Sequence, residues 1–183
     1  MKLTNVLFLL STLYTFALEK YDLNSFDKEI LNENGRFDKI NRIGRTAEII
    51  SVIDSKMPKQ EVIATIIDIQ RWEDLTGGKS FDKECSDNGR IQVGFRISRL
   101  NIQVNILLYE SICSNNIHCI KFKLNNQLSN IALNKLDGGW LIEEKNNGSR
   151  ITLRTTIVPS IFIPSGFINV ISYNLLNYTT YWL

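Results

Sequence analysis

Three stretches between Arg90 and Leu124 alternate apolar and polar residues almost without a break, and no other feature constrains the fold so tightly. In the first, Ile91, Val93, Phe95 and Ile97 fall on one side, with Gln92, Arg96 and Ser98 on the other. Ile102, Val104, Ile106 and Leu108 share a side of the second. His118, Ile120, Phe122 and Leu124 share a side of the third, opposite Lys121 and Lys123. Successive side chains of a strand point to opposite faces, so each stretch buries one face and wets the other. Strands of this kind belong to an antiparallel sheet covered on a single side. Residues 45–54 extend the set, with Ala47, Ile49, Ser51 and Ile53 together. Residues 140–144 and 151–158 complete it, joined by Asn146-Asn147-Gly148-Ser149, residues suited to a hairpin turn. Asp137, just before Gly138-Gly139, is read as part of a turn.

Two segments supply the cover. Pro58 opens a short helix, with Glu61 near the positive end of its dipole and Val62, Ile63, Ile66 and Ile67 forming one apolar stripe. A second helical turn, residues 70–75, carries Trp72 and stops at Gly77-Gly78. Near the C-terminus, Pro164-Ser165-Gly166 breaks the chain, with Ser165 a suitable N-cap. Beyond it Phe167, Ile171, Asn174 or Leu175, Tyr178 and Trp182 recur at helical spacing, although Ile, Thr and Tyr give this segment poor intrinsic helix propensity. The expected class is α+β: an antiparallel sheet of about seven strands wrapped around a C-terminal helix.

A chain of 183 residues, 44% hydrophobic, can bury one good core, and three prolines leave no linker-like stretch for a second domain. A net charge of +2 with acids and bases interspersed argues against a nucleic-acid partner and against a polybasic membrane patch. Lys2 followed by the apolar run Val6–Ala17 has the length of a signal-peptide core, too short to span a bilayer comfortably. Residues 1–18 are therefore read as a signal, giving a secreted, lumenal or complex-plastid protein. Residues 19–42 alternate charges with little apolar period and read as a polar lead-in or processed segment, and residues 43–183 as the domain. On a secretory route disulfides become available. Cys113 and Cys119 flank a turn and face each other in one hairpin register; a shift of one residue separates them.

Taken in order, these elements resemble the helix-grip fold of the START-like superfamily, in particular its polyketide cyclase/dehydrase and coenzyme-Q-binding branch. Pro58, Val62, Ile63, Ile66, Ile67, Asp68, Trp72 and Leu75 look like that branch's run after the first strand. Gly139-Trp140 with Ile142-Glu143 is similar to its Gly-x-Trp segment, and Ile151–Pro159 followed by Ile163-Pro164 resembles the entry to its last helix. Two departures stand out: Ile63 replaces the usual Trp, and a proline expected between Trp72 and Leu75 is missing. The resemblance covers residues 43–183 and is closest to cyanobacterial and plastid cyclase/dehydrase-like proteins. It implies a hydrophobic small-molecule partner (a lipid, isoprenoid quinone, pigment or polyketide) held between sheet and terminal helix, with transient membrane contact.

The candidate lining of such a site is Trp72, Phe95, Ile97, Val104, Ile106, His118, Phe122, Trp140, Phe162, Phe167, Ile171 and Tyr173. Apolar pockets with few polar groups suit hydrophobic ligands, and area removed from water supplies the affinity without any catalytic residue. His118, the sole histidine, is the one candidate acid–base group on an apolar face and carries the alternative reading, a cyclase or dehydratase. A third reading is an interaction module whose face is filled by its own side chains. One histidine with scattered cysteines does not make a zinc site, and no cofactor is expected.

Overall fold

The computed structural model describes residues 20–68, 81–85, 91–97, 102–114, 116–125, 133–160, 165–180 and 183. Among these, eight strands form one antiparallel sheet: β1 (Arg36–Ile43), β2 (Thr46–Ser55), β3 (Phe81–Cys85), β4 (Ile91–Ile97), β5 (Ile102–Ser114), β6 (Ile117–Leu124), β7 (Leu133–Lys145) and β8 (Gly148–Pro159). The helices are α1 (Ser25–Asn34), α2 (Lys59–Ile67) and α3 (Ser165–Thr180). Strand order is β1-β2-β8-β7-β6-β5-β4-β3, so β8 returns to pair with β2 and every other neighbour is consecutive in sequence.

The period-two reading holds where the alternation is strictest. β6 has the bounds expected, and Ile120 and Phe122 are buried on the same face as Val93, Ile106 and Leu108. That inner face continues through Leu136, Trp140 and Ile142 of β7, Ile151, Leu153 and Ile157 of β8, and Ala47, Ile49 and Ile53 of β2. Of the described helices, two cover it: α2 packs on β7 and β8 through Val62, Ile63 and Ile66, and α3 packs on β2.

Residues 19–42 are not a lead-in outside the domain. Asn24 caps α1 in a capping box, its Oδ1 accepting from the Asp27 amide at 2.8 Å while Asp27 accepts from the Asn24 amide. Gly35 ends the helix in a left-handed conformation (φ 68°) that a residue with a Cβ adopts only under strain. β1 follows at once as the edge strand. Leu31 and Phe37 pack with Ile50 and Val52 on the outer face of the sheet, and Tyr21 stacks on Phe37. The segment escapes the periodicity argument because its apolar residues divide between one helix and one edge strand. Neither presents a regular apolar face: β1 buries only Phe37, and α1 only Asp27 and Leu31.

Asp137 also departs from expectation. It lies inside β7, opposite Lys123 and Thr156, because that strand starts at Leu133 and not near Trp140. Gly138 and Gly139 therefore sit mid-strand, where they permit close backbone approach. The Asn146-Asn147 turn is where it was expected, with Lys145 paired to Gly148.

Cys113 and Cys119 form a disulfide, with 5.8 Å between their Cα atoms. The direct partner of Cys119 is Ser111; a bulge between Ile112 and Ser114 brings Cys113 to it. Cys119 faces outward with Leu141, away from the main core.

The outer face of β1, β2 and β8 carries a charged network. Arg154 donates to Glu48 at 2.6 Å and Asn41 donates to its other oxygen at 3.4 Å. Burial alone pushes the Glu48 carboxyl up, but these two hydrogen bonds and the charges of Arg154 and Lys39 outweigh it and hold it below its ordinary value of 4.5. A lowered folded-state value means stability that is present above pH 4.5 and lost as pH falls through the folded value. Glu48→Gln is expected to flatten the acid limb of a stability–pH curve, changing stability by no more than about 1 kcal/mol at neutral pH. Urea melts from pH 3 to pH 7 check this; an unchanged acid limb would assign the acid sensitivity to other carboxylates.

Candidate functional site

Of the sequence-derived lining, Ile106, Phe122 and Trp140 lie buried on the inner face of the sheet. Phe122 and Trp140 form its centre. Ile120 and Leu153 flank Trp140 on the neighbouring strands, and Phe122 lies opposite Gly138. The two rings meet at 5.2 Å with planes tilted by 57°. Gly138 makes that arrangement fit, since a Cβ there would stand 2.7 Å from the Phe122 ring.

Trp140 does more than line the face. Its indole N–H donates to the Thr179 carbonyl at 3.3 Å. That carbonyl belongs to the last turn of α3, whose final four carbonyls have no partner within the helix. Arg36 reaches the same end from β1, donating to Thr180 Oγ1 at 2.6 Å while its Nε pairs with Asp38. A cation at a helix C-terminus also complements the dipole. The C-terminal end of α3 is thus fastened to both β1 and β7, and Ile168 and Leu176 bury the rest of its inner stripe.

The other predicted residues divide. Ile106 is buried in the same core. His118 is partly buried on the inner face between Ile112 and Ile142, at the hairpin end of the sheet. Tyr173 does not line the site: it is 61% exposed. The inner stripe of α3 runs through Ile168, Ser172 and Leu176, so Tyr173 is rotated away from it. Phe95 and Ile97 lie in β4, Val104 in β5, and Phe167 and Ile171 in α3, with side chains outside the described residues. Trp72 and Phe162, the helical turn at 70–75 and the apolar run at the N-terminus also lie outside the described residues.

Sequence reasoning misses three residues here. Ser51 and Ser172 are buried polar groups on the two surfaces that meet, β2 and α3. Period alone places Ser51 on the apolar face, but it says nothing of what the hydroxyl touches. Arg36 goes unnoticed because its short edge strand shows no apolar period. Among the described residues no group of three or more His, Cys, Asp or Glu side chains is arranged to hold a metal ion. No described helix is long and apolar enough to cross a membrane.

No family model matches the sequence, and no curated protein is similar to it by sequence. Solved structures do match. A STAR-related lipid transfer protein from Xanthomonas axonopodis superposes with a TM-score of 0.61 at 9% identity, over 80% of this chain and 87% of that one. The lipid transfer and protein localization domain of human StarD13 gives 0.58 at 11% identity, over 89% of this chain and 99% of that one. Human STARD10 gives 0.55 at 12% identity, over 87% and 77% respectively. The StarD13 match spans more of the chain than residues 43–183 make up, in keeping with α1 and β1 being part of the domain. The chain therefore has a START-like, helix-grip fold, the fold of these solved structures.

Proposed function

We propose that this chain binds a hydrophobic small molecule, such as a lipid, isoprenoid quinone, pigment or polyketide, between the inner face of its sheet and α3, and carries it between membranes. The observation that carries this reading is the inner face itself. It is an apolar surface running across β2 and β4 to β8, capped by a helix whose C-terminal end is fastened by Trp140 and Arg36. The START-like fold supports it, since the matching Xanthomonas and human StarD13 domains are named for lipid transfer. Membrane contact need only be transient. Ile43, 77% exposed beside the β1–β2 turn with Arg42 and Arg45 on either side, offers an apolar tip flanked by cations. The proposal places the chain on the secretory route, where a Cys113–Cys119 bond persists.

Native mass spectrometry of gently purified full-length chain, followed by organic extraction, tests the reading. A retained apolar molecule at one-to-one stoichiometry is the expected result. A bare mass, together with no uptake of lipid or quinone from vesicles, would give precedence to a filled-core interaction module.

A further inference from the structure

Two buried hydroxyls, one on the inner face of β2 and one on the inner stripe of α3, have no hydrogen-bond partner. Ser51 and Ser172 are both 0% exposed, and neither Oγ is hydrogen-bonded. Among the described residues, comparable hydroxyls elsewhere are satisfied. Thr65 and Thr180 donate to carbonyls four residues back in their helices, at 2.8 and 2.7 Å, and Ser149 donates to the Met57 carbonyl at 2.7 Å. Ser172 occupies a helix in which the same back-bond is open to it and does not make it. Burying a hydroxyl unpaired costs free energy, so each of the two asks for a partner that the chain itself does not supply.

Their surroundings define what they would hold. Ser51 lies between Ile49 and Ile53 along β2 and opposite Leu153 of β8, while Ser172 lies one turn from both Ile168 and Leu176. On the edge side, Ser51 is paired in register with Asp38, whose carboxylate holds Arg36 at 2.7 Å. Arg36 in turn is committed to Asp38 and Thr180. An incoming anionic group would meet the Asp38–Arg36 pair, whose charges largely cancel, and would lose its hydration with no net cation to answer it. A neutral group that both donates and accepts meets no such penalty.

We propose that Ser51 and Ser172 form the polar end of the ligand site, holding a neutral hydroxyl or carbonyl of an otherwise apolar molecule and selecting it over a phosphate-bearing one. This rests on the apolar-binding reading above and refines it.

The test uses full-length chain with three probes of one tail length: 1-hexadecanol, hexadecane and hexadecyl phosphate, delivered from cyclodextrin. Wild-type chain is expected to bind the alcohol about tenfold more tightly than the hydrocarbon, as one or two hydrogen bonds would give, and to bind the phosphate least. A Ser51→Ala/Ser172→Ala variant is expected to lose that preference while binding hexadecane as before. Without ligand it should melt at the same or a higher temperature, because unpaired buried hydroxyls are removed; hydroxyls serving the fold would give a lower one. Equal binding of alcohol and hydrocarbon by the wild type, or a preference for the phosphate, would overturn the assignment and leave apolar binding standing. Binding of none of the three would remove both readings. The wild-type comparison decides even if the double variant fails to fold.

Discussion

Trp140→Ala should destabilise the chain by about 3–5 kcal/mol, the range for deleting a large buried aromatic side chain. Trp140 is 0% exposed, so little of the space it leaves can be recovered by solvent or by a short side-chain shift. Two further losses add to the cavity. The ring contact with Phe122 disappears, and the Thr179 carbonyl loses its donor in a buried setting. In a chain of this size the melting temperature should fall by on the order of 10 °C or more. Trp140→Phe separates the terms, since it keeps most of the apolar volume while removing the N–H. Its cost should be markedly smaller, and hydrogen exchange should locate it in the last turn of α3. Urea denaturation followed by circular dichroism checks both. Should Trp140→Ala cost under about 1 kcal/mol, the site must collapse far more readily than its packing suggests.

Gly138→Ala is expected to be nearly as damaging, for a different reason. A Cβ at this position would stand 2.3 Å from the Arg154 carbonyl oxygen and 2.9 Å from the Thr155 Cα. Both are backbone atoms of β8, which is held in the ladder by β2 on one side and β7 on the other. Neither can yield without breaking pairing, and the third neighbour, the Phe122 ring, is packed against Trp140. Overpacking of this kind costs roughly 1–3 kcal/mol where a core can adjust, and here the upper end or beyond is expected. Gly166→Ala is the control. It lies in the first turn of α3, where an added Cβ would meet nothing within 4 Å, and should be neutral or stabilising by up to about 1 kcal/mol. Destabilisation by both substitutions to the same degree would mean that the crowding at Gly138 does not set the outcome.

Much of this architecture can be read from residue order. Strict alternation predicts β4, β5 and β6, because a one-residue slip would turn a whole hydrophobic set to water. The apolar stripe Val62, Ile63 and Ile66 predicts the buried face of α2. What alternation cannot reach are elements whose signals lie in caps and turns. α1 announces itself by an Asn24–Asp27 capping box and by Gly35, cues that carry no apolar period. β7 begins at Leu133, well before the Trp140 start expected for it, because paired glycines interrupt its pattern without interrupting its ladder. β5 likewise runs past Leu108 to Ser114. This sets Glu110 in register with Ile120, at a strand position that the alternation argument does not include.

The sequence alone determined which faces are apolar, that the sheet is antiparallel, and that a helix of marginal propensity closes the chain. These follow from side-chain period and turn chemistry, which are local properties. Which strands become neighbours was decided only by tertiary structure. The β2–β8 pairing joins residues about one hundred positions apart in sequence, and no local pattern encodes it. The same pairing sets Ser51 beside Leu153, and the docking of α3 on the sheet buries Ser172. Trp140 and Thr179 meet for the same reason: a hydrogen bond across 39 residues exists only once sheet and helix have docked.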